Sequence, residues 1–89
     1  MSQDQAQVLS RGTNCAVVQL SGRAFPGIHL QGDTFAALLV QLADAARLLR
    51  HDPGDRAALD ELDDAVGELE HFLGFYEATL SERGIQRPY

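Results

Sequence analysis

Between Leu59 and Leu80 the large apolar residues recur at steps of 3, 4, 3, 4, 3 and 4: Leu59, Leu62, Val66, Leu69, Leu73, Tyr76 and Leu80. Only a helix carries side chains at those steps onto one line, and about three heptads make a coiled-coil-like seam. The spacing predicts a helix over 53–83, roughly 40 Å long at 1.5 Å per residue. Pro53 suits its first position with Asp52 as the cap. Gly84 suits the left-handed position after its end, where Ile85 folds back onto the last turn. Residues 84–89 then form an extended tail.

A shorter helix precedes it. Phe35, Leu38, Leu42, Ala45 and Leu49 step by 3, 4, 3 and 4, and Leu39 widens the stripe. This predicts a helix over 34–51, capped by Asp33 or Thr34, with Arg47, Arg50 and His51 at its negative end. The break His51-Asp52-Pro53-Gly54-Asp55 is short, so the two helices are expected as antiparallel neighbours.

Upstream the period changes to two. Strands are expected at 6–10, 14–20 and 28–31, with Arg11 to Asn14 as a turn and residues 1–5 as a frayed start. Ala16, Val18 and Leu20 share one face of the second strand; Cys15, Val17 and Gln19 share the other. Ile28 and Leu30 point in, His29 and Gln31 out. The fold class is therefore α+β: a three-stranded antiparallel sheet over 6–31, followed by and packed on a helical hairpin with a long second helix, in a single domain 1–89. Three short strands cannot cover a 40 Å helix. Part of the seam must meet the first helix or a second copy of the chain, which makes a homodimer through the second helix one expectation.

Charge narrows the function. Thirteen acidic residues stand against seven basic ones, a formal charge of −6, and every basic residue is an arginine. Such a domain repels phosphate backbones, so nucleic acid is not an expected partner and a basic protein is. The single cysteine, Cys15, has no internal disulfide partner and reads as a small hydrophobe in a strand. No apolar run reaches the ~18–20 residues of a membrane span, and the start MSQDQAQ lacks the form of a signal peptide. No membrane association and a cytoplasmic location are expected.

Catalytic motifs are missing: no G-x-S-x-G, no glycine-rich phosphate loop, no H-E-x-x-H. Asp63 and Asp64 belong to an exposed helical face. Glu68 and His71 form one E-x-x-H pair, where carboxylate-bridged metal bundles use two with further acids. His29 and His51 stand apart from it, and three scattered histidines with one cysteine make no zinc set. The expectation is no enzyme, no metal and no cofactor.

Two places invite binding. Phe72, Phe75 and Tyr76 put three aromatics within five residues, around Gly74. They form either an interface or a wide intramolecular core face, and His29 and Gln31 on the outer sheet face are further contact candidates. The loop from Ser21 to Gly27 offers Arg23. Its guanidinium either pairs with Asp33, holds an anion beside Gly32, Asp33 and Thr34 at the helix start, or braces the loop while Phe25 plugs the core.

The run from Arg23 to Thr34 reads R-x-F-P-G-x-x-x-Q-G-D-T. With Ala16 to Leu20 and the ending Gly84 to Tyr89 it resembles a small bacterial family of unknown function over nearly the whole chain. Its core, Pro26 to Thr34, is also similar to the HicB-type antitoxin domain over residues 6–50. That resemblance implies a hairpin and third strand turning into a helix, and a protein that neutralises a toxin by binding it. The expected function is non-catalytic protein binding of the antitoxin or immunity kind, with a small-ligand or anion-binding module, or a structural homodimer, as alternatives.

Overall fold

The structure, a computed structural model, describes residues 5–89. The expected frayed start falls on residues 1–4, outside the described residues, and on Gln5, whose carbonyl accepts the Ser21 amide at 3.0 Å. Three strands, β1 (Ala6–Arg11), β2 (Cys15–Leu20) and β3 (Gly27–Leu30), are followed by α1 (Gly32–His51) and α2 (Arg56–Glu82). The expected α+β order is observed. The chain divides into two compact units, one of residues up to Gln31 with Phe72–Tyr89 and one of Gly32–His71, so α2 contributes to both.

In the first unit the strands form an antiparallel sheet in the order β1-β2-β3. Val8 pairs with Val18, but Ser10 pairs with Val17, which leaves Leu9 as an extra residue. A bulge of this kind sets two consecutive side chains against one partner. Leu9 thereby packs against the core while Ser10 bonds Thr79 of α2 at 2.6 Å. The Thr79 hydroxyl donates to the Phe75 carbonyl at 3.0 Å, so the Ser10 hydroxyl donates to Thr79.

The inner sheet face presents Cys15 and Val17, both buried, to the last three turns of α2. Val17, Tyr76 and Leu80 are the centre of this core, with Leu9, Phe75 and Ile85 against it. Tyr76 buries its ring and donates its hydroxyl to the Pro26 carbonyl at 2.6 Å, fastening the loop before β3. Arg83 donates to the Leu9 carbonyl at 2.8 Å. Gly84, at φ 67°, ends α2 as its sequence position predicts. The Ile85 amide bonds the Leu80 carbonyl at 2.9 Å and the Gly84 amide that of Ser81 at 3.2 Å, the paired bonds of a Schellman motif. The tail is tied to α2 at one carboxylate: Glu77 accepts from the Tyr89 hydroxyl at 2.9 Å and pairs with Arg87 at 3.2 Å. Lost hydration, then the Glu77 carboxylate, raise the Tyr89 phenol above its ordinary 10.0.

In the second unit α1 and the start of α2 meet through small residues. Ala45, Ala58 and Ala65 are buried beside Leu38, and the Gln41 amide donates to the Glu61 carbonyl at 2.8 Å. This corrects the expected seam. The buried line of α2 runs through Ala58, Ala65, Phe72 and Thr79, with Tyr76 and Leu80, while Leu59, Val66, Leu69 and Leu73 stay 40–46% exposed. The line is turned by about one residue, roughly 100°, from the leucine seam.

The helix starts also differ. α2 begins at Arg56, not at 53, and its cap is Asp55, whose carboxylate accepts the Ala58 amide at 3.0 Å. Asp52 instead closes a turn over Pro53, taking the Gly54 amide on its carboxylate at 3.0 Å and the Asp55 amide on its carbonyl at 3.1 Å. That turn uses up the residues a longer helix would need. α1 begins at Gly32, two residues early, so Asp33 lies in its first turn.

Tyr76→Phe removes the donor to a buried carbonyl and keeps the ring. It should lower stability by about 1–2 kcal/mol, read as a lower urea midpoint with unchanged slope; an unchanged midpoint would show that the bond adds nothing.

Candidate functional site

The register places Ala6, Val8, Ala16, Val18 and Leu20 on the face of the sheet turned away from α2. An antiparallel sheet with one solvated face normally turns polar side chains outward. Here the outward face is apolar along its length: Val8 is 44% and Leu20 48% exposed, beside half-buried Val18 and Ala16. The face carries an open depression of about 680 Å³, with Arg11, Asn14, His29 and Gln31 among its polar lining. His29 lies opposite Ala16 and is exposed; the Gln31 amide bonds the Asn14 carbonyl at 3.3 Å. The two outer-face candidates named from sequence thus share one concavity. The apolar residues beside them were assigned a common face without being recognised as a surface. The available signal was β2 itself, Cys-Ala-Val-Val-Gln-Leu, apolar on both periods.

The aromatic cluster is elsewhere. Phe72 and Tyr76 are 5% and 7% exposed, and Phe75 is half-buried against the core. Within the chain Phe72 and Tyr76 are interior residues, and Tyr76 belongs to the core of the first unit.

In the Arg23 loop Phe25 does not plug the core. A turn from Leu20 to Arg23, with Gly22 at φ 81°, closes through the Arg23 amide and the Leu20 carbonyl at 3.3 Å. Gln19 braces it, donating to the Arg23 carbonyl at 2.8 Å. Phe25 stays 44% exposed, and buried Pro26 takes the inward place instead. Arg23 belongs to the first unit and Gly32, Asp33 and Thr34 to the second. At the α1 start the Asp33 carboxylate already accepts the Thr34 amide at 2.8 Å. That carboxylate supplies the negative charge a helix start favours and competes with any external anion.

Cys15 is a buried free thiol, packed as expected. Glu68 and His71 are exposed, and no group of three or more His, Cys, Asp or Glu among the described residues is arranged to hold a metal ion. Among those residues no helix is long and apolar enough to cross a membrane.

Comparison with known proteins finds one family model, described as a family of unknown function (DUF6959), matching residues 1–89. No curated protein and no solved structure matches.

Asp33→Ala should destabilise the domain by about 0.5–1 kcal/mol through the lost amide contact and dipole complement. Phosphate added to the wild type should leave its melting temperature unchanged. A phosphate-dependent rise that Arg23→Ala abolishes would support the anion site.

Proposed function

The chain belongs to this family of unknown function, and from its geometry we propose that it acts by non-catalytic protein binding through the outer face of the sheet. The observation that carries this reading is the open apolar concavity of β1, β2 and β3. Covering half-exposed Val8 and Leu20 yields roughly 25 cal/mol per Å² of apolar surface removed from water, and His29, Gln31 and Arg11 supply orienting polar contacts at one end.

The partner this reading favours is a basic protein, and the role a neutralising one of the antitoxin or immunity kind. Two features support it. The net charge of −6 speeds encounter with a basic surface. The strand-to-helix turn from Pro26 to Thr34 is similar to that of the HicB-type antitoxin domain. The anion-binding alternative is weakened by the Asp33 carboxylate at the α1 start.

The test is capture of a partner from native extract, identification by mass spectrometry, and calorimetry on the purified pair. Leu20→Asp should weaken binding at least about tenfold, a loss of about 1.4 kcal/mol, with thermal unfolding of the free domain little changed. His29→Ala should weaken it less. Equal binding by wild type and Leu20→Asp, or no stoichiometric partner, would remove the sheet face from consideration.

A further inference from the structure

The helical hairpin of the second unit has two unlike sides. One is a shallow groove of about 640 Å³ lined by small and polar groups, among them Ala36, Val40, Asp44, Ala57 and Glu61. Turning past the buried line of Leu38 and Ala45 on α1, and of Ala58 and Ala65 on α2, brings up the other side. There the helical period aligns Phe35, Leu39 and Leu42 with Leu59, Leu62 and Val66. Phe35 and Leu39 are each 61% exposed, Leu59 40% and Val66 42%.

We propose that this side is covered by a second copy of the chain, two hairpins closing face to face into a four-helix bundle. Area argues for a copy of itself. The accessible parts of these side chains, with Leu69 at the same edge, come to roughly 500 Å² per chain. That is the upper end of what a monomer leaves exposed, and most of the apolar core of a standard interface of about 800 Å² per partner. The α2 stripe repeats in heptads, the pattern that packs helix on helix.

Charge then selects the arrangement. Exposed Asp63 and Glu70 border the stripe on α2, and exposed Arg50 borders it on α1. A two-fold axis parallel to the helices lays α1 of one copy over α2 of the other. Every neighbouring helix pair is then antiparallel, the favourable alignment of helix dipoles. Laying α2 over α2 would oppose like charges instead.

Size-exclusion chromatography with light scattering tests the assembly. The wild type should run at twice its chain mass of 9.7 kDa. Leu39→Glu should run at the chain mass, with its helical circular dichroism kept. Val40→Glu, on the opposite side at 60% exposed, should remain a dimer. A wild-type monomer at high micromolar concentration overturns the proposal. So does a dimer that survives Leu39→Glu but falls apart with Leu20→Asp, which would place self-association on the sheet.

Discussion

Tyr76 is the fastening on which the first unit depends. A sheet of three short strands is marginal by itself and needs one face covered. A single stretch of helix covers it here, and Tyr76 does two things at once. Its ring completes the Val17–Leu80 contact, and its hydroxyl closes a buried carbonyl at Pro26 that would otherwise be left unsatisfied. The bulge at Leu9 belongs to the same arrangement. It frees Leu9 for packing and turns Ser10 to Thr79, so that β1, the loop before β3 and α2 are joined within one helix face.

What the inside of this chain takes up explains what its outside offers. The hairpin closes on alanines, whose small side chains bring the helices together but leave leucine, valine and phenylalanine turned outward. The sheet covers only one side of a strand that is apolar on both. Single exposed leucines are ordinary on any protein. Aligned ones on a helix pair, and apolar cross-strand neighbours on a concave sheet face, are contiguous surface, and contiguous apolar surface is what partners recognise.

The elements were legible because their periods are clean. The 3–4 steps gave both helices, alternation gave the strands, and Gly84 gave the end of α2 almost to the residue. Burial was less legible. A heptad tells which residues share a line, not which line faces in, and Ala58 and Ala65 give a hydropathy reading little to hold against the leucines beside them. Asp52 and Asp55 are equal candidates as a cap until the Pro53 turn is built, and only then does one carboxylate reach a free amide. Phe25 looked like the plug because it is larger; Pro26 is buried because its carbonyl has a partner in Tyr76. Part of the candidate site was visible in His29 and Gln31. Its apolar floor was not, because a face assignment carries no curvature.

Charge and contact surface are separated along this chain, and that bears on how it would work. Asp60, Glu61, Asp63, Asp64, Glu68 and Glu70 all fall within eleven residues of α2, in the second unit, whereas the sheet face is bordered by Arg11 and His29 in the first. At physiological salt, exposed charges act over only about 8 Å. In the binding role proposed above, the acidic stretch would hasten encounter with a basic partner. Holding falls to Val8, Val18 and Leu20, which are insensitive to salt. In the paired assembly proposed above, each dimer carries two sheet faces. A partner with two matching surfaces would then be held by both, with the second contact strengthened by proximity.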